Sequence, residues 1–114
     1  YLLQRLVGLA RAKQMLLLGR ELGGEEAERW GLVHQVVDDG DLEAASDALV
    51  QQLAQAATVA LGLTKWLMHR SLDVDLADAL SNEAFALEVS ARSSDFKEGL
   101  AAFAEKRPPR YEGR

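Results

Sequence analysis

Two histidines, His34 and His69, are the side chains best suited to move a proton near neutral pH. Neither has a nucleophile or carboxylate at a diagnostic spacing, so both read as structural or incidental. They are also too few and too far apart in sequence for a zinc motif. The acid pairs Glu25/Glu28 and Glu83/Glu88 do not declare a general acid/base couple. Residues five apart on a helix point away from each other, which separates Glu83 from Glu88. These acids read as solvated surface. The chain has no cysteine, which removes thiolate nucleophiles, disulfides, Cys-ligated metals and iron–sulfur clusters. The glycines are scattered, and none forms a dinucleotide or phosphate-loop fingerprint. Trp30 and Trp66 read as core or interface anchors rather than as a base-stacking platform. Residue chemistry alone therefore gives no catalytic set and no metal site. What remains is an oligomerising or partner-binding helical layer with a basic tail.

The elements that carry these residues follow from composition and period. The 114 residues hold 13 basic and 18 acidic side chains, for a formal charge of -5. That length is one small domain or part of a larger one. Ile is absent, Pro occurs twice, and Leu and Ala dominate the apolar set. Such a mixture points to helix and argues against a sandwich, a barrel or a disordered chain. Net acidity argues against a general nucleic-acid binder. No apolar run reaches membrane-spanning length, and no signal peptide is visible, so the expected location is cytoplasmic. Charge is uneven. Residues 1–20 hold Arg5, Arg11, Lys13 and Arg20 and no acid, whereas residues 21–64 hold nine acids against Arg29 alone. The tail is basic again through Lys106, Arg107, Arg110 and Arg114. Solvated faces of varying sign account for most of this, and a basic end that meets an anion is the sharper alternative.

Along the chain, Tyr1–Leu6 reads as a helical turn ending near Gly8. Ala10–Leu18 reads as a helix whose Met15, Leu16, Leu17 and Leu18 cover more than one face, which places it between two layers. Gly19 ends it. Glu25–Trp30 reads as a short helix stopped by Gly31, with its first-turn acids at the positive helix end. Leu32–Val37 is the one strand-like stretch, and a lone strand needs a partner that the sequence does not supply. Asp38–Asp41 reads as a turn, with Asp41 as the N-cap of a helix striped by Leu42, Ala45, Leu49, Leu53 and Ala56. Residues 59–72 read as a helix in which Gly62 permits a close contact. Asp75 caps the next helix with Asp78 three residues on, and its stripe is Leu76, Leu80, Ala84, Leu87 and Ala91. Ser94 reads as the cap of the last helix, striped by Phe96, Leu100 and Phe103. Pro108-Pro109 ends it, and Tyr111–Arg114 reads as an extended tail.

Several segments look like those of one family. Arg5-Leu6-Val7-Gly8, Ala10-Arg11-Ala12-Lys13 and Leu18-Gly19 come first. Glu25 to Val37, with Trp30-Gly31-Leu32-Val33 at its centre, follows, and then Thr64-Lys65. Ser94-Asp95-Phe96-Lys97-Glu98-Gly99 runs into Ala102-Phe103-Ala104-Glu105-Lys106-Arg107-Pro108. In order and spacing these resemble enoyl-CoA hydratases/isomerases, the crotonase family, over the whole chain. Two departures are modest. Gly24 stands where Ser or Thr often starts the short helix, and Thr58-Val59 stands where a Pro is common.

The resemblance implies a mainly α chain: the helical C-terminal region of a crotonase-type α/β fold, a spiral of ββα units whose N-terminal core is absent here. It implies that residues 1–40 are the tail end of that core with its short strand, and that 41–114 are the helical trimerisation part. A first residue of Tyr rather than Met agrees with something missing upstream. In the family, the oxyanion hole and the acid/base glutamates lie before the position matching Tyr1. No catalytic residue is therefore carried over, and Glu21, Glu25 and Glu26 are not substitutes. Two residues are. Phe103 matches the aromatic beside the acyl-chain pocket, and Lys106 matches the lysine that reaches the nucleotide end of CoA, often across a subunit boundary. Spaced i and i+3, they would share a helix face. The implied activity is hydration of 2-enoyl-CoA thioesters in fatty-acid metabolism, with acyl-CoA as substrate, no cofactor and no metal. The implied assembly is a homotrimer or dimer of trimers, without nucleic-acid or membrane partners. Alternatives are another crotonase-family reaction, such as enoyl-CoA isomerisation, and a non-catalytic helical interaction module.

Overall fold

A computed structural model describes residues 1–114, and every regular element in it is helical. No helix is long and apolar enough to cross a membrane. The chain divides into two compact units, Tyr1–Ala45 and Ser46–Arg114.

In the first unit, α1 (Leu2–Val7) and α2 (Leu9–Leu18) pack together across Gly8. Gly8 takes φ 81°, which a side chain would resist, and this lets one helix stop and the next begin without a linker. Val7 and Ala12 are buried at this joint. The leucines at 16, 17 and 18 are not: they are 72–79% exposed within this chain. The expected second layer over them is not supplied by these residues. Gly19, in the left-handed region at φ 62°, closes α2 as its position indicates.

The helix α3 (Gly24–Arg29) buries Ala27 and ends at Trp30. Its exit corrects the expected strand. Gly31, at φ 74°, donates its N–H to Glu28 O, and Leu32 donates to Ala27 O, both at 2.9 Å. This is the Schellman pattern. The Val36 N–H then reaches the Glu28 carboxylate at 3.1 Å. Leu32 and Val36 thus spend their backbone donors on α3, and Leu32–Val37 bends through His34 and then runs without regular structure rather than as a strand. A Val-rich run with β propensity loses to a helix exit that satisfies its donors locally. Gly24 has a packing reason as well: a Cβ there would lie 3.2 Å from Val36 Cγ1. Asp39–Asp41 forms a 3-10 turn directly before α4 (Leu42–Ala54).

In the second unit, α5 (Thr58–Arg70) packs on α6 (Leu76–Ala91), and α6 packs on α7 (Ser94–Glu105). Asp75 caps α6 as expected, its carboxylate accepting the Asp78 N–H at 2.9 Å. The cap of α7 is Ser93, not Ser94. Ser93 has extended backbone, and its hydroxyl oxygen accepts the Phe96 N–H three residues on. Ser94 is the first helical residue, and its hydroxyl donates to the Arg114 carbonyl. Gly62 lies in α5 with nothing within 4 Å of a hypothetical Cβ, so it mediates no close helix contact.

The buried apolar residues here are Ala86 and Ala102. The stripes read from the sequence exist, but their large members face outward: Leu76, Leu80, Leu87, Leu100 and Phe103 are all exposed. Small side chains let the helices approach one another, and these larger side chains stay exposed within this chain.

Candidate functional site

The most organised polar structure lies on α7 and the segment that follows it. Asp95 and Glu98, three apart, fall on one helix face. Asp95 is 2% exposed. Its two carboxylate oxygens accept the N–H groups of Glu112 and Gly113 at 2.8 and 2.9 Å, and its own N–H donates to Arg114 O at 3.1 Å. Lying in the first turn of α7, the carboxylate is also favoured by the helix dipole. Glu98 accepts Arg107 Nη1 and Nη2 at 2.5 and 3.0 Å, a two-point pairing, and the Arg110 N–H at 2.8 Å. These donors, the Arg107 fork foremost, hold the Glu98 carboxyl down to about 2 from an ordinary 4.5. Arg107 is pushed further up in turn by Glu98 and by Glu105, whose Oε2 lies 2.6 Å from its Nε.

Residues 107–114 are therefore a strap folded back on α7, and the extended tail expected at Tyr111–Arg114 is tied down by these bonds. Tyr111 rests over Gly99, where a Cβ would come within 3.3 Å of the phenolic oxygen. A cleft of about 290 Å³ opens beside this contact, bounded by Ala57, Ala60, Ser90, Phe96, Leu100 and Tyr111.

The two residues singled out by resemblance sit where α7 meets the strap. Phe103 is 87% exposed, so its ring is no part of this chain's core. Lys106 lies one residue beyond the end of α7, at φ 54° and ψ 41°, the only residue other than glycine with positive φ. The two do not share a helix face in the expected sense, because the helix ends at Glu105. The direction of Lys106 is set by its left-handed backbone and by its neighbours. Its N–H bonds to Phe103 O at 3.3 Å, and the Arg107 N–H bonds to Ala102 O at 3.0 Å.

The remaining candidates are not brought together. His34 lies exposed in the segment after α3, and His69 lies exposed in the last turn of α5. No group of three or more His, Asp or Glu side chains is arranged to hold a metal ion. Glu25 lies near Arg29, Glu28 holds the Val36 N–H, and Glu88 pairs with Arg92 at 2.5 Å. Glu83 lines a groove between α5 and α6. Trp30 is half-buried, with the guanidiniums of Arg11 and Arg20 over its ring at 5.1 and 4.9 Å. Arg20 is held there by Glu26 at 2.6 Å and by Gln14. This cation–aromatic stack explains part of the basic N-terminal charge as structure.

Sequence reasoning missed the roles of Asp95, Glu98 and Arg107. A signal was present: two acids three apart on the last helix, followed beyond a Pro-Pro stop by Arg110 and a glycine.

The chain as a whole is similar to known proteins. The model of the enoyl-CoA hydratase/isomerase family matches residues 1–114. The 1,2-epoxyphenylacetyl-CoA isomerase of Escherichia coli is 38% identical over 100% of this chain, which covers 44% of that protein. A Rhodobacter capsulatus protein named "Probable enoyl-CoA hydratase" is 40% identical over 98% of this chain and 44% of its own length. The crystal structure of an enoyl-CoA hydratase/isomerase from Cupriavidus metallidurans superposes with a TM-score of 0.92 at 39% identity, over 99% of this chain and 43% of that one. The chain thus spans less than half the length of the relatives it matches. It belongs to the enoyl-CoA hydratase/isomerase family.

Proposed function

We propose that these residues are the C-terminal helical part of a cytoplasmic enoyl-CoA hydratase. In this reading the whole protein adds water to 2-enoyl-CoA thioesters, and upstream residues supply the oxyanion hole and the acid/base pair. This chain contributes two things. Its outward-facing leucines and phenylalanines pack against the upstream core and against neighbouring subunits, in a trimer or a dimer of trimers. The end of α7 contributes to the acyl-CoA site, with Phe103 beside the acyl arm and the Lys106 ammonium toward a phosphate of the nucleotide.

The observation that carries the site assignment is the pairing of an almost fully exposed Phe103 with Lys106 in a left-handed conformation. Glycine is the usual residue at such a helix end, and a lysine there costs roughly 1 kcal/mol of backbone strain. A strained cation beside an uncovered ring fits a ligand surface better than a passive helix end. The test is hydration of crotonyl-CoA by the full-length protein, with Lys106→Ala alongside. The variant is expected to raise KM for the CoA thioester about tenfold and to leave kcat nearly unchanged. An unchanged KM removes Lys106 from the site. Absence of hydration in the full-length parent overturns the hydratase assignment.

The kinship with an isomerase, at 38% identity, favours one second reading: isomerisation rather than hydration on the same thioester scaffold. The two share carbonyl polarisation and differ in the acid/base residues upstream. Product analysis of the same incubation separates them.

A further inference from the structure

Lys106 holds a conformation that its own side chain disfavours, so something else must fix it. The residues around it show what does. On the helix side, the Lys106 and Arg107 N–H groups close on Phe103 O and Ala102 O. On the strap side, the Arg107 guanidinium is gripped at both terminal nitrogens by Glu98, and the Arg110 N–H is held by the same carboxylate. Pro108 disfavours helical backbone at Arg107, so the chain turns at Lys106 and bends on through Arg107 into the strap. Asp95 then ties Glu112 and Gly113 to the start of the same helix. Lys106 is thus the bend between α7 and a strap that α7 itself clamps.

We propose, resting on the acyl-CoA reading above, that Glu98 and Arg107 are positioning residues for the thioester substrate: their ion pair fixes the direction in which Lys106 presents its ammonium. Neither is required to touch the ligand. Both side chains are committed to each other, Arg107 further to Glu105 and Glu98 further to the Arg110 N–H. Loss of the pair releases the strap beyond Arg107. Lys106 is then free to leave the left-handed well for a more favourable backbone conformation, and substrate binding must restore it. That cost falls on binding rather than on the chemical step.

The test is a double-mutant cycle in the full-length protein, with two substrates. Crotonyl-CoA carries the nucleotide, and the crotonyl thioester of N-acetylcysteamine does not. Arg107→Gln is expected to raise KM for crotonyl-CoA about fivefold with kcat held. In the Lys106→Ala background the same change is expected to add little, because the group being positioned is gone. Neither change is expected to alter KM for the truncated thioester. Glu98→Gln keeps side-chain volume and an oxygen for the Arg110 N–H, so it serves if Arg107→Gln fails to fold. It is expected to behave in the same way.

Two failures are distinguishable. If Lys106→Ala raises KM for crotonyl-CoA and the Glu98 and Arg107 variants do not, positioning is overturned and the substrate contact survives. If Lys106→Ala leaves KM unchanged, both fall. Equal rises for the two substrates, or full additivity with Lys106→Ala, reveal a general structural effect and also overturn positioning.

Discussion

The strap on α7 and the leucine face of α2 solve the same problem in opposite ways. Residues 107–114 have little regular structure, yet Asp95, Glu98 and Ser94 fix them by seven hydrogen-bond contacts that stay inside the chain. The segment Met15–Leu18 has regular helical structure, and three leucines that nothing in the chain covers. The first region is specified by polar partners within reach. The second is specified only up to its backbone, and its leucines find no packing within these residues. Exposed apolar area of this size is costly to leave in water, at roughly 25 cal/mol per Å². The strap is thus settled within the chain, whereas the leucine face stays exposed in it.

Changing one member of each region breaks this contrast if it is wrong. The largest effect is expected at Leu17. In the full-length protein, Leu17→Asp places a carboxylate in what should be a covered apolar contact, and a loss of about 4 kcal/mol or outright failure to fold is expected. Denaturant midpoints of parent and variant give the measurement. A shift within ordinary surface scatter would mean that Leu17 stays in water. Next is Asp95→Ala, which leaves the Glu112 and Gly113 N–H groups without their acceptor and opens the strap. An expected loss of about 3 kcal/mol follows from two bonds to a buried carboxylate. Limited proteolysis is expected to cut first within 107–114, and a variant with unchanged stability and cleavage would show that the strap is held elsewhere.

How much of this was legible in the sequence divides along the same line. The helices were readable, because Leu and Ala at period 3.6, Asp75 before α6, and the glycines at 19 and 31 act through neighbours a few residues away. The expected strand at Leu32–Val37 failed on a competition that propensity does not contain: Gly31 in the left-handed region turns the Leu32 donor back onto α3 before any pairing arises. Ser94 lost the cap to Ser93 because adjacent serines have equal local credentials, and the choice depends on which one has extended backbone. Phe103 and Lys106 were picked out by resemblance, whereas Glu98 and Arg107 were not assigned a role. Their partnership spans nine residues and a chain reversal, so no helical or strand period announces it. The apolar stripes lie where the period places them, and their large members stay exposed within this chain. Periodicity identifies a face that seeks cover, not the chain that covers it.

The strap's ionisation gives a sharper test of smaller size. A carboxyl held near 2 in the folded chain and near 4.5 when unfolded binds its proton more weakly in the native state. Glu98 therefore stabilises the fold fully above about 4.5, and the contribution fades as pH falls from 4.5 toward 2. Glu98→Gln is expected to flatten the pH dependence of stability in that window and to leave the shape above it unchanged. Denaturant titrations at several acidic pH values measure this. A variant with the parent's slope below 4.5 would mean that Arg107 and the Arg110 N–H do not hold the carboxylate in solution.

The smallest effect is expected at Lys106, where two substitutions separate backbone from side chain. Alanine keeps the Cβ and hence the strain of a positive φ, while glycine removes it. Lys106→Gly is expected to be more stable than Lys106→Ala by about 1 kcal/mol, read as a higher melting temperature. Both lose the ammonium, so both are expected to raise KM for crotonyl-CoA by the same factor. Equal stability of the two variants would mean that the left-handed turn relaxes once the lysine is gone, and that the strap does not impose it. A glycine variant that gains stability and loses affinity would show that the lysine at this bend costs the fold something and serves the ligand.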